Sequence, residues 1–180
     1  MDSYRVDIQS ILEVLAETIA VSDDLLLDSF EVGTEVFKPT GPAHFDITLT
    51  NTGAAIIGMG KVRLPVLATC ARCLMEFPTE IDAEVDGFYV MVGRDQDLPE
   101  EQEIEYVDGE YHIDILPSIM AALVLEAPFA PLHDEECAGI CATCGADLNE
   151  GPCACQSELG DAHPFAGLKG LLGDEKPHGD

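Results

Sequence analysis

Between His44 and Asn51 the apolar residues Phe45, Ile47 and Leu49 alternate strictly with polar ones, which is the period of a strand with one buried face. Asn51, Thr52 and Gly53 then supply turn chemistry, and a second apolar run from Ile56 to Ala68 follows, so this stretch reads as a β-hairpin. After the segment Cys70-Ala-Arg-Cys73 the alternation resumes. Phe77, Thr79, Ile81, Ala83 and Val85 interleave with Glu80, Asp82, Glu84 and Asp86. Two long strands therefore flank the CARC segment. The acidic face of the second must meet water or a cationic partner.

The ends of the chain follow other periods. After a short strand at Tyr4 to Ile8, the apolar positions Ile8, Ile11, Leu12, Leu15 and Ile19 predict a short amphipathic helix. Ser22 to Pro39 has no clean period and leans towards strand at its end. Gly93 to Glu110 is rich in Asp and Glu and reads as a solvated acidic loop, because it has no apolar face to anchor a helix. From Asp114 onward Ile115, Leu116, Ile119, Met120, Leu123 and Val124 form an apolar stripe. The stripe predicts a buried helix across the sheet, with Asp114 as N-cap, Pro117 in the first turn and Pro128 marking the end.

The expected architecture is α+β: an antiparallel β-sheet or open barrel-like sheet with a few packed helices and a small C-terminal zinc-knuckle module. Residues 1–130 would form the core domain, 131–160 the cysteine-rich module and 161–180 a tail. With 47% hydrophobic and 24% charged residues, the chain has the composition of a globular protein.

Charge narrows the function classes. Against 35 Asp and Glu stand 8 Lys and Arg, a formal net charge of -27. Nucleic-acid binding draws its affinity from cations on phosphates, so such a field disfavours direct, extensive RNA or DNA contact. It suits a basic protein partner, or serves solubility alone. The opening residues carry acids where a secretory signal would be positive, and there is no apolar run of about 18 residues, so no signal peptide or membrane span is expected. Cytoplasmic localisation follows as an expectation. In a reducing compartment seven cysteines point to metal or redox chemistry rather than to disulfides.

The segment CATCGADLNEGPCAC places Cys141 and Cys144 as a CxxC, then eight residues, then Cys153 and Cys155 as a CxC. Four thiolates at this spacing suit a tetrahedral zinc ion, and Gly145 permits the tight knuckle that follows the second cysteine. Cys70 and Cys73, with His133 and Cys137 of HDEEC, supply a second set of four candidate ligands. Spacing alone also allows Cys70 and Cys73 to complete a mixed site with Cys141 and Cys144. A redox-responsive or zinc-buffering role for Cys141 and Cys144 is the alternative to a structural one.

Catalysis finds no support in the sequence. Phosphate-cradling, dinucleotide, zinc-hydrolase and nucleophile-elbow motifs are absent, and His44, His112, His163 and His178 stand alone. The expectation is a protein that is not an enzyme and takes no small-molecule substrate. Lys61, Arg63 and Arg72 gather three of the eight basic residues around the CARC hairpin. They are the candidate partner-binding spot, against the simpler reading that they balance neighbouring acids.

The CARCL segment after a long strand, then EAPFAPLHDEECAGICATCGADLNEGPCAC, then HPFAGLKGL, together resemble the YceD family, also called the large ribosomal RNA subunit accumulation protein. The resemblance spans most of the chain and is loosest over the first forty residues. It implies a role in the synthesis, processing or stability of large-subunit (23S) ribosomal RNA in bacteria and plastids, without a known enzymatic activity. Ribosomal or rRNA-processing proteins become the implied basic partners, and any direct RNA contact would be weak. Many relatives carry cysteine at the position of His133, which suits a ligand there. Some lack the C-terminal cysteine module, so the CARC hairpin with His133 and Cys137 lies closer to the common core.

Overall fold

The structure, a computed structural model, describes residues 3–91 and 105–155. The chain divides into two compact units, residues 1–137 and 138–180.

The first unit runs β1 (Arg5–Asp7), a 3-10 turn (Gln9–Ile11), β2 (Thr18–Leu25), β3 (Phe30–Val32), β4 (Glu35–Pro39), β5 (Ala43–Asn51), β6 (Ile56–Thr69), β7 (Glu76–Met91), β8 (Glu105–Val107), β9 (His112–Asp114) and α1 (Leu116–Glu126). The hairpin of β6 and β7 is its spine, paired without a break from Ile56↔Tyr89 to Thr69↔Glu76. On the other edge of β6, β5 covers the first half and β4 the second. β2 extends β5, β3 extends β4, and β8 joins β7 in the sheet's parallel pairing. Gly60 of β6 leaves no room for a side chain against β5. A Cβ there would lie 2.0 Å from the carbonyl oxygen of Asp46.

Alternation decides the two faces of the sheet. Phe45, Ile47 and Leu49 of β5, Val62, Leu64 and Val66 of β6, and Ile81, Ala83 and Val85 of β7 are all buried. Burying each large apolar side chain contributes about 1.5–3 kcal/mol. α1 packs against β7 and β6 through Leu116, Ile119, Ala122 and Leu123, and the buried hydroxyls of Tyr89 and Ser118 meet across 3.0 Å. Asp114 Oδ1 accepts the N–H of Leu116 and that of Tyr4. It therefore ties the first residue of the helix to the strand pair of β1 and β9, while the N-cap position falls at Ile115, one residue after the Asp114 that the sequence suggested.

The outer face carries the charges in rows across the strands. Asp46, Lys61 and Glu84 share one row, and Asp24, His44, Arg63 and Asp82 the next.

Three expectations are corrected. The helix expected at Ile8 to Ile19 is a single 3-10 turn followed by the outer strand β2. Its reason lies far along the chain, since the Asn51 side-chain amide donates to the carbonyls of Ile11, Leu12 and Val14, which a helix would have used internally. Instead of a few helices, the described residues hold one α-helix. The expected acidic loop at 93–110 lies partly outside the described residues, and its end forms β8, where buried Val107 anchors the strand against β7. Among the described residues no helix is long and apolar enough to cross a membrane.

Candidate metal centres

The turn between β6 and β7 is a tight knuckle. Leu74 N–H donates to the Cys70 carbonyl across 2.9 Å, and Cys70 N–H donates to the Met75 carbonyl across 2.9 Å. This folds Cys70 and Cys73 towards each other at the tip of the hairpin. The chain leaving α1 returns to the same tip, where Ala71 N–H donates to the Pro131 carbonyl across 2.8 Å. Arg72 Nη1 donates to the carbonyls of Glu135 and Cys137, both at 2.9 Å.

Cys70, Cys73, His133 and Cys137 are thereby brought together, with one ligand atom from each within 4.8 Å of all the others. Cys70 and Cys137 are buried with their sulfurs 3.8 Å apart, and Cys73 Sγ lies 3.5 Å from His133 Nδ1. A zinc tetrahedron with Zn–S of about 2.3 Å and Zn–N of about 2.05 Å has S···S edges of about 3.8 Å and S···N edges of about 3.6 Å. The two separations therefore match the edges of a metal-ligand tetrahedron. The Phe77 ring meets the His133 imidazole edge to face at 6.3 Å, which limits the freedom of the imidazole.

The second unit repeats the knuckle. Gly145 N–H donates to the Cys141 carbonyl and Cys141 N–H to the Ala146 carbonyl, each at 2.8 Å. Cys141, Cys144, Cys153 and Cys155 present sulfurs that all lie within 4.8 Å of one another. Asn149 Oδ1 accepts the Ala138 N–H at 2.8 Å and closes the base of the loop. This group is more open than the first, with Cys144 exposed.

Electrostatics at both knuckles favour one thiolate and penalise the next. Burial opposes ionisation of Cys70, but the N–H of Cys73, the His133 side chain and the N–H groups of His133 and Arg72 outweigh it and hold the thiol at about 5. At Cys141 the N–H groups of Cys144 and Thr143, aided by neighbouring thiols, bring it to about 6. Cys155 is pushed up to about 12, first by its hydrogen bond to Cys144 and then by burial. Crowded thiols of this kind ionise together only with a cation among them. The donor sets, three sulfurs with one imidazole nitrogen and four sulfurs, are compatible with a metal ion in each unit.

The two groups take up all seven cysteines, and the cysteines of the CARC hairpin group with His133 and Cys137 instead of with Cys141 and Cys144. The three basic residues face elsewhere. Lys61 pairs with Glu84 at 3.8 Å and Arg63 with Asp82 at 3.4 Å on the outer sheet face, while Arg72 is turned onto the backbone of the ligand loop. Lys61 and Arg63, with His44 and Asp46, line a concavity of about 460 Å³. Leu74, next to Cys73 in the first knuckle, has a left-handed backbone with φ +62° that no sequence pattern announces.

A family model described as "Large ribosomal RNA subunit accumulation protein YceD" matches residues 59–172, a span that holds most of the long hairpin, α1 and both cysteine groups. The chain belongs to this family. An uncharacterized protein of Mycobacterium leprae (strain TN) is 28% identical over 109 residues, covering 59% of this chain and 49% of the relative. An uncharacterized protein of Mycobacterium tuberculosis (strain ATCC 25618 / H37Rv) is 29% identical over 108 residues, covering 59% and 52%. The chain thus spans about half the length of these curated relatives. No solved structure matches.

Proposed function

We propose that this YceD-family protein is a non-catalytic accessory factor of ribosome assembly. It supports the synthesis, processing or stability of large-subunit ribosomal RNA, and it acts from the cytoplasm through basic protein partners. The observation that carries the reading is the family match over 59–172, which contains both metal-ligand groups and the acidic strand β7. The net charge of -27 supports a basic protein as the direct partner, because a field of this sign attracts cationic proteins quickly and repels phosphate.

Zinc is the metal proposed for both groups, since thiolate and imidazole donors in a tetrahedral set suit it. Cys70, Cys73, His133 and Cys137 would hold one ion and Cys141, Cys144, Cys153 and Cys155 the other. Bound zinc would neutralise thiolate charge and cross-link each loop. In the first unit the cross-link joins the hairpin tip to the segment after α1, which the Arg72 and Ala71 hydrogen bonds already hold in place.

Affinity capture from bacterial lysate at low and high salt, with protein and RNA both identified, tests this function. Basic large-subunit ribosomal or processing proteins are expected at low salt and lost at high salt, with RNA present only alongside them. Tight binding of naked ribosomal RNA at physiological salt contradicts the mechanism, and capture of no ribosomal component contradicts the role.

A further inference from the structure

The two CxxC knuckles share one backbone design and carry different residues at its left-handed position. In each, the residue after the second cysteine donates its N–H to the carbonyl of the first cysteine. In each, that residue has a left-handed backbone, with φ +62° at Leu74 and +73° at Gly145. Left-handed backbone crowds a Cβ against the neighbouring carbonyl, so glycine is the residue that fits it without strain. The second knuckle has glycine there. The first has leucine, and the strain is not offset by burial, because Leu74 is 62% exposed and Met75 beside it 48% exposed.

A side chain that strains the backbone and presents apolar surface to water gains the isolated chain nothing. Strained residues of this kind concentrate at sites of function. We infer that Leu74 is the apolar anchor of a docking surface at the hairpin tip, and that its occupant is a basic protein segment carrying an apolar side chain flanked by Lys or Arg.

The surroundings select that occupant. Asp134, Glu135 and Glu136 are exposed on the loop that Arg72 ties to the knuckle, and exposed Glu76, paired with Lys38 at 2.6 Å, follows Met75. Arg72 itself is turned onto the backbone carbonyls of that loop. An apolar centre with an acidic rim fits a cationic peptide, whereas phosphates would meet carboxylates. The inference rests on the proposed reading of a basic protein partner and gives that partner a place on the molecule.

The test uses the full-length zinc-loaded chain, immobilised, with total protein extracted from purified large ribosomal subunits as the probe. Wild type is compared with Leu74→Gly, Leu74→Asn, Leu74→Met and a control at another exposed apolar position, Val14→Asn. Glycine and asparagine both tolerate left-handed backbone, so these variants should keep the melting transition and zinc content of wild type. They should retain at least about tenfold less of the basic protein that wild type retains, as loss of an interface anchor does. Leu74→Met and Val14→Asn should retain it as wild type does.

Undiminished retention by Leu74→Gly, while wild type binds in a salt-dependent way, overturns the docking surface and leaves the partner reading standing. Failure of wild type to retain any ribosomal protein overturns both. Three further results overturn the docking surface: loss of melting stability or zinc in both the Gly and Asn variants, retention of added ribosomal RNA that depends on Leu74, and self-association in sedimentation that depends on Leu74.

Discussion

Arg72 Nη1 lies 2.9 Å from the carbonyl oxygen of Cys137, so the residue between two cysteines of the first knuckle holds the loop that bears the other two ligands. The guanidinium is taken up by the carbonyls of Glu135 and Cys137, and it ties the loop to the knuckle through backbone groups independent of the ligand side chains.

Arg72→Ala should therefore weaken metal binding at the first group by about tenfold, the loss expected when a charged donor to two carbonyls is removed. Arg72→Lys should recover part of it, since an ammonium reaches as a point donor without the fork geometry. Competition between the protein and a chromophoric chelator, with the second group removed by Cys153→Ser, measures this. Equal affinities for wild type and Arg72→Ala would show that the loop is held by other means.

Asn51→Ala should destabilise the first unit by about 2–3 kcal/mol, because the carbonyl of Ile11 loses its buried donor and those of Leu12 and Val14 lose theirs. Gly60→Ala should cost at least as much, since the added methyl meets the Asp46 backbone, which cannot move without parting β5 from β6. Urea unfolding at constant metal measures both. Wild-type midpoints would refute the two readings separately.

Acid should act through Asp108. The N–H of His112 holds its carboxyl at about 2, and the N–H of Glu110 and the Arg5 guanidinium add to the effect against a desolvation that opposes it. A carboxyl depressed in the folded state stabilises the fold above its ordinary value of about 3.9, and the contribution is lost as pH falls through about 2. Asp108→Asn should flatten the urea midpoint over that window and leave pH 6–8 unchanged in slope. At the alkaline end Tyr4, raised to about 12 by its hydrogen bond to Asp23 and then by burial, contributes below about 10 and loses that contribution as pH rises through about 12. An unaltered acid slope in Asp108→Asn would assign the acid transition to other groups.

The strands β5, β6 and β7 and the helix α1 were legible because their periods are local: each side chain's face follows from its neighbours two or four positions away. The N-terminal segment was not. Ile8 and Ile11 are buried as a helix pattern requires, yet Leu15 is 69% exposed, and the deciding interaction comes from Asn51, forty residues from Ile11. The three-residue strand β8 carries too short a pattern to register. Of the candidate sites, the second cysteine group was readable from spacing because its ligands fall within one loop. The first depended on a sixty-residue return of the chain from Cys73 to His133, which the hydrogen bonds of Ala71 and Arg72 secure and no spacing rule reveals.

Native mass spectrometry with metal analysis of the full chain bears most directly on the two proposed metal centres. Two zinc ions are expected for wild type, with one lost in Cys137→Ser, the other lost in Cys153→Ser, and none bound by the double variant. Metal bound at one group per chain should protect the first unit by about 4 kcal/mol when free zinc stands a thousandfold above its dissociation constant. A single ion lost equally in either variant, or Cys137→Ser retaining the full wild-type metal, would contradict the assignment of one ion to each unit.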